Sequence, residues 1–269
     1  MIIGLDIGSS AVKTIGYNNG EILFTKMTER KGCDIDAEIE RVLSENHSSL
    51  SEVELIAATG VGAESYLKDS SLAPSQLVSE IEATGDGGTW LAGINNAIIA
   101  SVGTGTALIL AKDGEYSHVG GSGVGSGTVR GLAKKLIGMT DLPEYFDYAE
   151  KGDLSRVDIL IGDLFAGTDT LPVDLTASNL AKCRDDASDS DWAAAVINMV
   201  LEVAGSHAAL ACAGYQVNTV IITGGLSCTK IAQECYKKFD RLYRPTYIIP
   251  PHSDCATAIG AARRAANGK

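Results

Sequence analysis

The chain has 269 residues, 45% of them apolar and 30 of them glycine, which fits a folded α/β protein of one or two lobes and excludes a disordered or fibrous one. A formal net charge of -12 leaves no basic surface to neutralise a phosphate backbone, so nucleic acid and anionic membrane are not expected partners and a small molecule is. The start lacks the basic segment of a signal peptide, no run is expected to reach membrane-spanning length, and the expected location is cytoplasmic. Six scattered cysteines form no Cys-x-x-Cys pair and read as reduced thiols, with only Cys228 and Cys235 spaced to share a helix face.

Apolar Ile2, Ile3 and Leu5 predict a strand that carries Asp6 into the turn Gly8-Ser9-Ser10, followed by a second strand from Val12 to Ile15. Asn18-Asn19-Gly20 predicts a turn into a third strand, Glu21 to Thr25. Gly8 lets the backbone approach an anion, the Ser9 and Ser10 hydroxyls and flanking N–H groups suit phosphate oxygens, Asp6 suits the magnesium of a nucleotide, and Lys13 would neutralise phosphate charge. A plain β-hairpin explains the same turn but gives Asp6 and Lys13 no role.

Ile35, Ile39, Val42 and Leu43 have helical spacing over 35–46. Leu55 to Ala58 reads as a buried strand emptying into Thr59-Gly60-Val61-Gly62, before a short helix containing Tyr66-Leu67 and a loop at Pro74. A helix from Ser79 to Leu91 precedes a strand, Ala97 to Ala100, which runs into Ser101-Val102-Gly103-Thr104-Gly105-Thr106. The opening pattern then repeats, because Ala107 to Lys112 predicts a strand, Asp113-Gly114 a turn and Tyr116 to Val119 a returning strand. Two copies of a glycine-hydroxyl loop feeding a hairpin imply two related lobes. A third glycine-rich stretch, Gly120 to Thr128, opens a helix through Leu136; apolar helical sequence runs from Trp192 to Ala213; Thr219 to Thr223 is a buried strand ending at Gly224-Gly225; and Thr257 to Ala266 is a final alanine-rich helix. No loop matches Gly-x-x-x-x-Gly-Lys-Ser/Thr, and the Gly-x-Gly-x-x-Gly spacings within 120–127 follow no βαβ opening.

The paired loops and the late Thr-Gly-Gly turn resemble the acetate kinase, sugar kinase, Hsp70 and actin superfamily. Within it, Val102 to Thr106 and Val119 to Thr128 with Gly131-Leu132 look like the type II, eukaryotic-like pantothenate kinases, as do Gly152 to Asp158 and Asp174 to Asn179. The resemblance implies a two-lobed actin-like ATPase fold of ribonuclease H-like, duplicated mixed-sheet lobes. Lobe I would be 1–95 with the C-terminal stretch 251–269 packing back, lobe II would be 96–250, and ATP would sit in the cleft between them.

By that resemblance ATP contacts Asp6, Ile7, Gly8, Ser9, Ser10, Ala11, Val12 and Lys13, then Thr104, Gly105 and Thr106, then Gly125, Ser126, Gly127, Thr128, Val129 and Arg130, with Gly224 beside them. It implies Mg2+ on Asp6 and Glu80 as the base that accepts the proton of the acceptor hydroxyl, with Glu82 a competing choice. Gly103 and His118 would face the acceptor, pantothenate or pantetheine, although His118 stands where the family usually has arginine and cannot form that residue's bidentate fork to a carboxylate. A homodimer is also implied, and the apolar stretch Trp192 to Ala213 reads either as its surface or, as often for alanine-rich helices, as plain core. The opening loop and Ala58 to Gly62 resemble in addition the ATPase activators of 2-hydroxyacyl-CoA dehydratases and benzoyl-CoA reductases, which need cysteine ligands in a central glycine loop; 119–132 has none. A nucleotide sensor without turnover is the remaining alternative.

Overall fold

The computed structural model describes residues 1–165 and 171–268; residues 166–170 and 269, which fall inside the expected lobe ranges, lie outside the described residues. The chain builds two five-stranded sheets. The first contains β1 (Ile2–Ile7), β2 (Ala11–Asn18), β3 (Glu21–Glu29), β4 (Leu55–Thr59) and β5 (Ser75–Leu77), with α1 (Ile35–Glu45) and α2 (Ala63–Asp69) between strands and α3 (Glu80–Ala92) after them. The second opens with β6 (Ala97–Val102), β7 (Thr106–Lys112) and β8 (Glu115–Ser122), followed by α4 (Ser126–Ile137) and α5 (Leu142–Ala149). A short antiparallel pair, β9 (Ile159–Leu160) and β10 (Thr176–Ser178), flanks α6 (Ile161–Leu164). Helix α7 (Asp189–Tyr215) then leads to β11 (Thr219–Thr223), α8 (Lys230–Leu242), β12 (Thr246–Ile248) and α9 (Ala256–Ala266).

The two sheets share one strand order, β3-β2-β1-β4-β5 and β8-β7-β6-β11-β12. In each, a three-strand antiparallel meander is extended by two parallel strands. The outer hairpins close the same way: Asn19 and Gly20 have φ of 47° and 93°, Asp113 and Gly114 54° and 84°, the doubly positive turn whose twist matches paired strands. The duplication legible in the sequence is therefore a duplication of topology.

By this repeat α3 and α9 are equivalent helices, and they cross between the sheets. Helix α9 covers β1, where a Cβ on Gly4 would lie 2.2 Å from the Ala258 carbonyl oxygen. The crossing is as tight: a Cβ on Gly87 would stand 1.8 Å from the Ala256 oxygen, and one on Gly260 1.8 Å from the Ala83 oxygen. Thr84 and Thr257 share a hydroxyl hydrogen bond of 3.1 Å there, and Arg263 Nε donates to Asp86 at 2.7 Å.

Helix α7 corrects one expectation and decides between two others. It is a single helix long and apolar enough to span a membrane, so a run of that length does exist in the chain. Its Ala193, Val196, Ile197, Val200, Leu201, Ala204 and Ala208 are buried in the core against the second sheet, so of the two readings of this stretch, dimer surface or core, most of it is core. Cys228 and Cys235 share no helix face either: Cys228 lies in the turn before α8 and is exposed, whereas Cys235 is buried.

Candidate active site

A cleft of about 880 Å³ opens where the two meanders face each other. Strand β1 delivers Asp6 to its floor, and the β1–β2 register sets Lys13 directly opposite. Lys13 Nζ donates to Asp6 Oδ2 at 2.9 Å. Burial works to lower the Lys13 pKa, but the charge and hydrogen bond of Asp6 outweigh it and hold the ammonium above its ordinary value. Glu80, the first residue of α3, lines the same floor. Its carboxyl is pushed up, first by burial and then by Asp6, with Lys13 pulling the other way. Glu82 points elsewhere, into an ion pair with Arg264 at 2.9 Å, and does not line the cleft.

The two hairpin turns meet across the cleft. Gly8 N–H donates to the Ala11 oxygen at 3.0 Å, which presents Ser9 and Ser10 at the tip, and Thr104 occupies the matching tip of the β6–β7 turn. The Ser9 and Ser10 hydroxyls lie 2.8 Å and 3.3 Å from the Thr104 hydroxyl. Five hydroxyl-bearing or glycine positions expected to meet phosphate, Gly8, Ser9, Ser10, Thr104 and Gly105, therefore converge, and Gly103, expected to face the acceptor, lines the cleft among them. Ala11 and Thr106 line the cleft beside them. Ile7, Val12 and Val129 turn buried side chains into the core and have only backbone to offer.

The third glycine stretch acts on the second turn. Ser126 N–H donates to the Gly103 oxygen at 2.8 Å and Gly127 N–H to the Thr104 oxygen at 3.0 Å, so these first-turn donors of α4 already have partners within the protein. A Cβ on Gly125 would lie 2.6 Å from both carbonyl oxygens, which is why glycine stands there. Thr128 accepts from Gly125 N–H at 3.2 Å and does not line the cleft, whereas Ser126 and Arg130 do. Gly224, with φ of 96°, is pressed against Val102; its neighbour Gly225 is the one that faces the cleft. His118 is exposed on β8 and lies outside the lining.

Sequence reasoning missed two walls of the site. Strand β3 runs four residues beyond the expected Thr25 because it pairs with β2 as far as Ala11, and this brings Met27 and Glu29 into the cleft. Helix α5 contributes Leu142, Phe146, Asp147 and Glu150, the last at its C-cap. Its start was legible: Asp141 caps the helix by accepting from Glu144 N–H at 2.8 Å, and Pro143 sits in the first turn.

Two mixed sheets of one strand order, each presenting a hydroxyl-bearing turn to a shared cleft, define an α/β fold of the actin-like ATPase class. Solved structures agree in fold. The chain superposes on the activator of the 2-hydroxyisocaproyl-CoA dehydratase from Clostridium difficile with bound ADPNP at a TM-score of 0.70 and 19% identity, covering 99% of this chain and 94% of that one. The ROK hexokinase from Thermus thermophilus gives a TM-score of 0.55 at 13% identity, covering 100% and 99%. The Fumble family model matches residues 93–236, more than half of the chain, and the chain belongs to the Fumble family. Among its relatives is a type II pantothenate kinase of Bacillus cereus, 27% identical over 274 residues and 96% of each protein. Another, from Staphylococcus aureus, is 28% identical over 83% of this chain and 84% of its own length. The resemblance read from the glycine motifs is the one these relatives bear out.

Proposed function

We propose that this protein is an ATP-dependent kinase that phosphorylates the primary hydroxyl of pantothenate. The observation that carries the reading is Glu80, a solvent-reachable carboxylate with a raised pKa, set at the cleft beside the Asp6–Lys13 pair and below two facing hydroxyl turns. The relatives named as type II pantothenate kinases support pantothenate as the substrate. Glu80 accepts the proton of the attacking hydroxyl as its oxygen bonds to the γ-phosphorus, the bond to the β-phosphate oxygen breaks, and ADP leaves. The backbone and hydroxyls of Gly8 to Ser10 and Gly103 to Gly105 hold the phosphate chain, and Lys13 offsets its charge.

The residues present fit a magnesium ion. Asp6 and Glu80 converge on one lysine, and the Thr59 hydroxyl, level with Asp6 across the β1–β4 pairing, is buried without a hydrogen-bond partner. Asp6 would hold the ion, which supplies charge neutralisation to the transferring phosphoryl group.

Purified protein given ATP and pantothenate should release ADP and phosphopantothenate. Glu80→Ala should lower turnover by roughly 10²- to 10⁴-fold while nucleotide still binds. Wild-type protein that binds ATP yet phosphorylates neither pantothenate nor its amides would sink this reading.

A further inference from the structure

The cleft is strongly acidic. Its floor holds Asp6, Glu80 and Asp254 around one cation, Lys13. Its outer walls hold Glu29 from β3 and Asp141, Asp147 and Glu150 from the α5 region, with one further cation, Arg130. Both cations are engaged: Lys13 with Asp6 at 2.9 Å, and Arg130 Nη1 with Glu29 Oε1 at 3.4 Å. Glu150 takes its own partner from outside the cleft lining, Lys230. Among the described residues no other lysine or arginine and no histidine lines the cleft.

A carboxylate on the acceptor would therefore enter a space already crowded with negative charge, beside an anionic nucleotide, and find no unpaired cation to receive it. Magnesium does not remove the asymmetry, because its charge answers the phosphates. An uncharged acceptor meets no such penalty. Met27, Val61, Leu142 and Phe146 offer it apolar surface, and Val61 is 78% exposed at the rim of the cleft. The cation most easily recruited by an acid is Arg130, and recruiting it leaves Glu29 unpaired.

We infer that the acceptor this cleft selects is an uncharged primary alcohol, an amide of pantothenate such as pantetheine, in preference to the free carboxylate. The inference rests on the kinase reading above. Repulsion of this kind acts through partly solvated space and is screened by salt, so the preference must weaken as ionic strength rises.

The test compares kcat/KM for pantothenate and for pantetheine, kept reduced, at low and at high ionic strength. The amide should be favoured by about tenfold or more at low salt, with the ratio shrinking at high salt. Glu29→Gln, at a side chain 64% exposed, should narrow the low-salt ratio by releasing Arg130 to meet the acid. Equal or better use of pantothenate at low salt overturns the inference and leaves the kinase reading intact. A preference that ignores both salt and Glu29→Gln overturns it as well, because charge would not be its cause. Phosphorylation of neither compound overturns inference and kinase reading together.

Discussion

Glu80 and Glu82 differ by two positions and have unlike surroundings: one faces Asp6 and Lys13 in the cleft, the other is tied to Arg264. The Glu80 shift has a kinetic consequence whose sign follows from its cause. Burial, then Asp6, favours the protonated form, so the proton is kept to higher pH than on an ordinary glutamate, and with Glu80 as the proposed base, turnover should be lost as pH falls through that raised value. The acidic limb of kcat/KM should therefore lie above the usual glutamate range and vanish in Glu80→Gln. An acidic limb that survives unchanged in that variant would assign it to another group. Asp6 and Glu80 were legible in the sequence because one ends an apolar strand and the other sits in a motif that resembles a known family. Glu29 and Glu150 carried no such mark, since only the β2–β3 register and the placing of α5 bring them to the cleft.

At the scale of elements, the crossing of α3 and α9 rests on the absence of side chains at Gly87 and Gly260. Gly87→Val would force a methyl-bearing carbon against the Ala256 carbonyl and should destabilise the fold by about 3 kcal/mol or more. Gly214→Ala, in α7 with open space at its Cβ, should instead stabilise by about 0.5–1 kcal/mol through helix propensity. Urea midpoints of the two variants, measured together, would separate packing from propensity; equal shifts would mean that the crossing is not tight. The sequence showed β1 to β4, α1 to α4, β6 to β8, α7, β11 and α9, through apolar runs bounded by glycine turns or apolar residues at helical spacing. It did not show β5, whose three residues are too few for a pattern, or the β9–β10 pair of five residues in all. Helix α8 does carry a signal in its sequence, since Ile231, Cys235, Tyr236 and Phe239 recur at helical spacing behind the N-cap Thr229.

For the molecule as a whole, a ligand in the cleft would add to the few contacts that already span it, Ser9 to Thr104 and Arg130 to Glu29. MgATP at about a hundred times its Kd should contribute about 2.7 kcal/mol, enough to raise Tm by several degrees in a chain of this size. A Tm unmoved by nucleotide would remove the cleft as its site. The place of α9 has a consequence of another kind, for the order in which the protein is made. Ile15 and Tyr17 on the first sheet are covered by Ala258, Ile259 and Ala262, some 240 residues later in synthesis. Until that helix has left the ribosome, the earliest-made sheet keeps an apolar face open to water. Its completion is therefore slow by virtue of that long separation, and the open face is exposed to aggregation or to a chaperone's grip while it waits.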